Sequence, residues 1–384
     1  MIVFVAGTRP EFIKLGPVAA ALKASHTPFV SVATGQHWDL LKGTPAETDL
    51  ADAISLGLES HTDPLRWVAC AESPIRRELK KLGPRVVVVQ GDTASALAGA
   101  RAAAALKIPL AHIEAGVRSG NLEEPWPEEG FRREITQLAT WHYAPTPHAV
   151  ENLLAEGVPK DQIVLTGNPG VSALARYAEV PQRAPAYRLV GERHILLTMH
   201  RREWLQTVDL SAFLNTLRSI CRHSRFTVIW PVHPAVTAQW PANFCDPSDL
   251  EWLRTTVVSR NFRIALPFPY RHMIDLLARA HGLATDSGGL VEEACTLGIP
   301  TAILRNANDR PEAVEAGMAR QFAPTDLEGA FAWLTQDPGP RTPSSVYGQP
   351  DAANRIASHL RSIVCPDMPK SLMASGSSPA ERAI

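Results

Sequence analysis

The sequence predicts an α/β protein made of two doubly wound, largely parallel sheets, each with helices on both faces. Three observations carry this. Short apolar runs alternate with stretches of helical spacing from the first residues onward. Runs such as "RVVVVQ" at 85–90 are apolar at every interior position, as a strand buried on both faces requires. The rhythm then starts afresh after a Pro- and Arg-rich stretch at 180–193, "VPQRAPAYRLVGER", which reads as a linker between two units of one class.

The elements follow in order. Residues 2–6 are a first strand. Positions 11–23 carry apolar side chains at Ile13, Leu15, Val18, Ala19 and Leu22, a helical spacing, with Gly16 and Pro17 as a candidate kink. Residues 28–33 read as a strand, 85–90 as a central strand, 94–107 as an Ala-rich helix and 109–114 as the next strand. A helix over 130–140 leads to the strand "HYAPT". Beyond the linker, "HILLTM", "FTVIWPV", "FRIALP", "HGLAT" and "TAILR" form a second strand series with helices between them. In such sheets ligands bind outside the carboxyl ends of the strands, so two facing units would make one deep cleft there.

Composition removes several function classes. The chain has 384 residues, 45% hydrophobic and 20% charged, which is ample for two cores. A formal net charge of −1 gives no bulk electrostatic case for nucleic acid or an anionic membrane. No apolar run is long enough to span a bilayer, and "MIVFVAGTRP" reads as a strand rather than a signal peptide. Five scattered cysteines and the absence of CxxC or HExxH suggest neither a disulfide frame nor a zinc site. A reducing cytoplasm is the expected home.

The loops after the strands hold the chemistry. "AGTRPE" lacks the spacing of a dinucleotide fingerprint but offers a glycine, Arg9, Lys14 one turn on, and the free N–H groups of a helix start, a set suited to an anion or to a plain surface turn. "QGDTASA" places Asp92 past a central strand, either as a helix cap or as a carboxylate at the cleft floor. Glu114 ends the following strand in "HIEAGVRSG", either bridged to Arg118 or facing the same pocket as Asp92. Two carboxylates in one partly dry site drive their proton affinities apart, which makes an acid and a base from one chemical group. "PWPEEGFRRE" adds Glu128 and Arg132, either an ordinary i, i+4 pair or a third carboxylate aimed at the cleft. Glu123, Glu124, Glu129 and Glu134 are expected in solvent. In the second unit, "LLTMHRRE" ends a strand at His200, with Arg201 and Arg202 suited to a diphosphate, and "WPVHPA" supplies His233. In "ATDSGGLVEEACTLGIP", Gly288 and Gly289 open a helix whose N–H groups can hold phosphate, with Ser287 as a further donor. Glu292 and Glu293 lie one turn inside, where a carboxylate can accept both hydroxyls of a ribose; the plainer alternative is a turn capped by Asp286 or Ser287. "RNANDRPEA" contributes Arg310 and Glu312.

Taken together, GTRPE, TGQH, QGDT, EAGVRSG, PWPEE, TGN, HRRE, PVHP, LPFPY, TDSGGLVEEA, RPEA and YG…RI, in this order, resemble the UDP-N-acetylglucosamine 2-epimerase family over nearly the whole chain. The resemblance implies two Rossmann-like domains of the glycosyltransferase-B type: 1–175 with the sugar and the carboxylates, and 176–350 with UDP. A helix over 351–365 would cross back to the first domain, and 366–384 would form a disordered tail. It implies C2 epimerisation of UDP-N-acetylglucosamine to UDP-N-acetylmannosamine by elimination and re-addition of UDP through a 2-acetamidoglucal, with no metal and no cofactor, in a homodimer that feeds cell-surface polysaccharide synthesis. By motif, Asp92, Glu114, Glu128 and His200 are the catalytic positions. Arg9, Lys14 and Arg132 contact anion or substrate, and Ser287, Gly288, Gly289 and Glu293 grip UDP. Gln36 and His37 match part of a second, activating UDP-sugar site, but Trp38 and Asp39 depart from it, so that site is expected to be vestigial. Further departures are "HRREWLQTVDL", "TGNPGV" and Val291. The competing outcomes are a hydrolysing 2-epimerase that releases N-acetylmannosamine and UDP, an epimerase of a related UDP-2-acetamido sugar, a glycosyltransferase of the same fold, and a non-catalytic UDP-sugar-binding subunit.

Overall fold

The structure, a computed structural model, describes residues 1–35, 45–50, 53–59, 61, 63–177, 193–233, 236, 261–265, 267–336 and 342–366. The expected linker, the Gln36–His37 segment with Trp38 and Asp39, the Arg202 side chain and the tail from 367 lie outside the described residues.

The first sheet contains β1 (Ile2–Ala6), β2 (Phe29–Ala33), β3 (Ile54–Ser55), β4 (Val86–Gln90), β5 (Leu110–Ile113), β6 (Trp141–Ala144) and β7 (Ile163–Leu165). Its order is β3-β2-β1-β4-β5-β6-β7, and every pairing is parallel. The second sheet contains β8 (His194–Thr198), β9 (Thr227–Pro231), β10 (Phe262–Ala265), β11 (Gly282–Thr285), β12 (Thr301–Leu304) and β13 (Ala319–Phe322), in the order β10-β9-β8-β11-β12-β13, again all parallel. The strand order reverses between β1 and β4 in one sheet and between β8 and β11 in the other. Loops leaving those strands diverge to opposite faces and open a crevice. That topology selects 7–9, 91–93, 199–201 and 286–289 as the segments best placed to meet a ligand.

The central strands are wholly buried because helices cover both faces. The helix Ala94–Ala105 lies closest, since its alanines and Gly99 present almost no side chain; a Cβ at Gly99 would sit 2.9 Å from Val5 Cγ1. One apolar core cluster runs without interruption from the first sheet, through Phe4, Phe12 and Leu15, to Leu196, Ile229 and Ile274 of the second half. The closing helix Ala352–Val364 buries Ile356 and Leu360 on the first half. There Ser172 Oγ accepts from Ala353 N–H (3.0 Å), the Val364 carbonyl accepts from Arg85 Nη1 (3.1 Å), and the Tyr143 hydroxyl lies 2.9 Å from His359 Nδ1.

Candidate functional site

The first corner, between β1 and the helix Arg9–Ala24, departs from the expectation of free amides. Glu11 turns back, and its carboxylate accepts from Gly7 N–H (3.1 Å) and Thr8 N–H (2.7 Å) and from the Thr93 hydroxyl (2.9 Å). The residue is fully buried, and burial pushes its carboxyl up to about 7 against the pull of those hydrogen bonds. Gly7 is required there, because a Cβ would lie 2.0 Å from Ser95 Oγ and 2.2 Å from Thr34 Oγ1. Two donors of this corner, the Gly7 and Thr8 N–H groups, are therefore used by the chain itself. Half-buried Arg9 lies close enough to Glu293 to feel its charge, while burial pulls its guanidinium below the usual value. Lys14 reaches inward to Glu114 (2.6 Å) and to Glu292 of the other half (3.1 Å).

Asp92 is not a helix cap. Thr93 takes that place, its hydroxyl accepting from Ala96 N–H at 3.0 Å. Asp92 keeps 26% of its side chain exposed and pairs with Arg132. Burial works to raise its carboxyl, but Arg132 prevails and holds it below the usual range. Glu114 is bridged not to Arg118, which pairs with Glu156 at 2.7 Å, but to the cleft cations. It accepts from Gln90 Nε2 (2.5 Å), Lys14 Nζ (2.6 Å) and Arg310 Nη2 (2.6 Å). Its backbone φ of +68° is a left-handed conformation that a glutamate seldom adopts, and such strain marks a functional position more often than a structural one. Burial, with Glu292 close by, pushes the Glu114 carboxyl up against the pull of Lys14 and Arg310. Glu292 is the opposite case: burial opposes ionisation, yet Arg310 and Lys14 hold it below its usual range. Glu128 is the first residue of the helix Glu128–Leu138, one turn before Arg132, and is half-buried.

Two of the glutamates expected in solvent are elsewhere. Glu129 is 0% exposed, because it accepts from Ser119 N–H (2.9 Å) and Arg133 Nε (3.2 Å) and lies 3.5 Å from Arg132. Glu124 is half-buried and accepts from Ala307 N–H at 3.4 Å, across to the second half. Glu123 is exposed, and Glu134, 37% exposed, pairs with Arg101.

The second half presents a different corner. Ser287 precedes the helix Gly288–Leu297, and among the described residues no side chain caps that start. A Cβ on Gly289 would meet nothing within 4 Å, so the backbone is open there. Asp286, buried, accepts instead from the N–H groups of His200 (2.6 Å) and Arg201 (2.8 Å) and lies 2.9 Å from His200 Nδ1. Burial opposes its ionisation, but His200 holds the carboxyl below the usual range. The Asp286 carbonyl accepts from Arg201 Nε at 3.1 Å, and the His200 and His233 rings lie 5.0 Å apart. Glu293 is half-buried and accepts from the Tyr270 hydroxyl at 2.8 Å; burial pushes its carboxyl up to about 7. Arg310, 5% exposed, binds Glu292 (2.5 Å) as well as Glu114, so both glutamates one turn inside the helix have defined but different neighbours. Glu312 accepts from the Thr146 hydroxyl of the first half at 2.5 Å. Among the described residues no cluster of side chains has the makings of a metal centre.

Carboxylates on one side thus face an uncapped, glycine-opened helix start on the other, in a doubly wound pair of sheets. The model of the UDP-N-acetylglucosamine 2-epimerase family matches residues 20–361. The chain belongs to that family. It is 33% identical to the UDP-N-acetylglucosamine 2-epimerase of Bacillus subtilis, covering 92% of this chain and 93% of that one. It is also 33% identical to the enzyme of Neisseria meningitidis, covering 82% and 85%. Among solved structures, the Neisseria meningitidis 2-epimerase bound to UDP-GlcNAc superposes with a TM-score of 0.82 at 30% identity, covering 94% of this chain and 98% of that one. The Methanocaldococcus jannaschii UDP-GlcNAc 2-epimerase in complex with UDP-GlcNAc and UDP gives 0.81 at 29%, with the same coverage. The fold is accordingly the glycosyltransferase-B-like arrangement of these 2-epimerases.

Within this member of the 2-epimerase family, the structure gathers Asp92, Glu114, Arg132, Lys14 and Arg310 into one ion-paired network, and His200, Arg201 and Ser287 around Asp286. Reasoning from sequence missed Asp309, Arg305, Tyr270 and Gln90. Asp309 and Arg305 stand in "RNANDRPEA" beside Arg310 and Glu312, Gln90 opens "QGDTASA" and Tyr270 ends "LPFPY". No local spacing signals that Asp309 meets Arg132, 177 residues away.

Proposed function

We propose that this chain epimerises UDP-N-acetylglucosamine at C2, giving UDP-N-acetylmannosamine by loss and re-addition of UDP. Family membership supports this, as do relatives crystallised with UDP-GlcNAc or UDP. The observation that carries it is the division of labour across the cleft. One side has an uncapped helix start with a carboxylate one turn inside, and the other has carboxylates whose proton affinities are driven apart.

In the forward step the C2–H bond breaks and its electron pair becomes the C1=C2 bond of a 2-acetamidoglucal. The C1–O bond breaks with its pair leaving on UDP. Asp92, held ionised by Arg132, is the base that takes the proton. Glu114, whose carboxyl binds a proton more readily, returns one to the opposite face, with Glu128 as the third carboxylate of the set. The C2 proton is barely acidic, so stabilisation of the departing diphosphate must lead. That falls to the N–H groups of Gly288 and Gly289, the Ser287 hydroxyl, Arg201 and His200, the last oriented by Asp286. Glu293 accepts ribose hydroxyls, and Arg9 and His233 complete the diphosphate surroundings.

Proton NMR of UDP-N-acetylglucosamine with the protein in deuterated water tests this. The expected result is the manno epimer, with deuterium at C2 in product and recovered substrate. Free N-acetylmannosamine with UDP would make the enzyme a hydrolysing one, and the absence of any exchange would sink the reading. Family membership also supports a homodimer working in the cytoplasm for cell-surface polysaccharide synthesis. Light scattering tests the dimer. No helix among the described residues is long and apolar enough to cross a membrane.

A further inference from the structure

One nitrogen of Arg132, Nη2, is shared between two carboxylates from opposite halves: Asp92 of the first and Asp309 of the second, the latter at 2.7 Å. Asp309 is 1% exposed in its side chain and is ringed by guanidinium groups. Arg305 Nη1 lies at 2.6 Å and Arg310 Nη1 at 3.2 Å, and Arg201 is close enough to act on it electrostatically. Burial opposes its charge, yet Arg310, Arg305 and Arg132 hold it well below the usual carboxylate range, so it is an anion throughout the working pH span. Nothing in the proposed chemistry uses it, and its side chain is buried among the arginines. A buried anion in such a place either balances charge passively or acts through what it holds.

We propose that Asp309 is a positioning residue for the C2 step: from the opposite half it shares the Arg132 guanidinium with Asp92, so that Arg132 does not neutralise Asp92 alone and Asp92 stays basic enough to take the proton. This rests on Asp92 being the base. The groups that act on Asp92 are Arg132 from the helix Glu128–Leu138, Arg310 and Asp309 from the loop after β12, Arg201 from the loop after β8, and Glu114 just past β5. Of these, the carboxylates Asp309 and Glu114 raise the proton affinity of Asp92, while the three arginines lower it. Without Asp309, Arg132 would belong to Asp92 alone, and a fully neutralised carboxylate is a poor base. A guanidinium suits the shared role because its donors diverge in one plane and can serve two acceptors at once.

The test compares wild type, Asp309→Asn and Asp309→Glu by kcat and KM across pH, with UDP affinity by calorimetry. Asp309→Asn is expected to lower kcat by about 10- to 100-fold, the scale of impaired general-base catalysis, with KM and UDP affinity little changed. Its acid limb should move to lower pH, because Asp92 has lost a neighbour that raises its proton affinity. Asp309→Glu, which keeps the charge, should return the acid limb to its wild-type position. Arg305→Gln gives the opposite sign: Asp309 loses a cation, its field on Asp92 strengthens, and the acid limb should move to higher pH. This variant carries the test if Asp309→Asn fails to fold, and an unmoved or lowered limb would then overturn the proposal. So would an Asp309→Asn enzyme with wild-type kcat, or one that is slow with its acid limb in place. A wild type without epimerisation or C2 exchange would instead condemn the proposed activity, which separates the two failures.

Discussion

The two halves of the cleft use one construction, a buried parallel strand that ends in a loop and enters a helix, yet they treat their backbone donors in opposite ways. After β1, Glu11 folds back onto Gly7 and Thr8 N–H and closes the corner. After β11, no side chain among the described residues caps the helix at Ser287, and Asp286, the obvious candidate, is turned toward His200 and Arg201. Both sequences contain glycine, a hydroxyl residue and a nearby glutamate, so composition does not separate them. What separates them is where the carboxylate falls. In the first corner it lies at the third helical position, within reach of the loop; in the second, Glu292 and Glu293 lie deeper and face Arg310 and Tyr270. A helix start is an anion site only where the chain leaves its amides unfilled.

The largest effect that could break this division concerns the side proposed for chemistry. Asp92→Asn keeps the shape and removes the base. Turnover should fall at least ~10²-fold, as loss of a general base usually gives, while calorimetry still finds UDP bound. Near-normal turnover would remove Asp92 from the mechanism, and lost UDP binding would mean that the two halves are not separate in function. Next in size is Glu293→Ala on the other side. It should weaken UDP by about 1.5–3 kcal/mol, the range for hydrogen bonds to a charged group, without a comparable fall in saturated turnover. Unchanged affinity would put the nucleotide elsewhere.

The central strands could be read from sequence because burial on both faces leaves a run of β-branched residues that few other structures need, as in 85–90. The edge strands Ile54–Ser55, Ile163–Leu165 and Ala319–Phe322 could not, being short and partly exposed. The helix Pro64–Leu82 also escaped notice. Pro74 sits inside it and masks an amphipathic spacing that buries Trp67, Val68, Ala71, Ile75 and Leu79 between the Asp63 cap and a glycine C-cap. In the site, Asp92 and Glu114 were legible because a strand end fixes where they stand. The pairs across the cleft were not, since Arg132–Asp309, Lys14–Glu292 and Arg310–Glu114 all join opposite halves. The same blindness put Glu129 in solvent: its place on the helix was readable, but its bond to Ser119 N–H was not.

A third prediction sharpens the claim that the first corner is closed for structural reasons. Glu11→Ala strands Gly7 and Thr8 N–H and the Thr93 hydroxyl beside a buried site. Unfolding free energy at neutral pH should drop by about 1–3 kcal/mol, the cost of leaving buried donors unpaired, with UDP affinity unmoved. Denaturant midpoints measure the first and calorimetry the second. A stable variant would show that the corner does not need its cap, and altered UDP affinity would reopen it as part of the nucleotide site.

The smallest effect is a pH dependence confined to the open corner. Glu293 has a carboxyl raised to about 7 by burial, against the pull of the Tyr270 hydroxyl, Lys14 and Arg9. Below that value it is mostly protonated, and above it mostly ionised. An ionised carboxylate accepts ribose hydroxyls more strongly than a neutral one, by about 1 kcal/mol. UDP affinity should therefore rise with pH through this range, by roughly three- to tenfold between about pH 6 and 8. The terminal phosphate of UDP also loses a proton near pH 6, and that contributes a slope of the same sign. Glu293→Gln separates the two, since it keeps an acceptor but cannot ionise. The phosphate contribution should survive in it, and the remainder should vanish. Parallel slopes in wild type and Glu293→Gln would show that the carboxylate does not titrate against the nucleotide. A wild-type affinity that falls with pH would mean that the protonated form of Glu293 is the one that meets the ribose, donating its hydrogen rather than accepting.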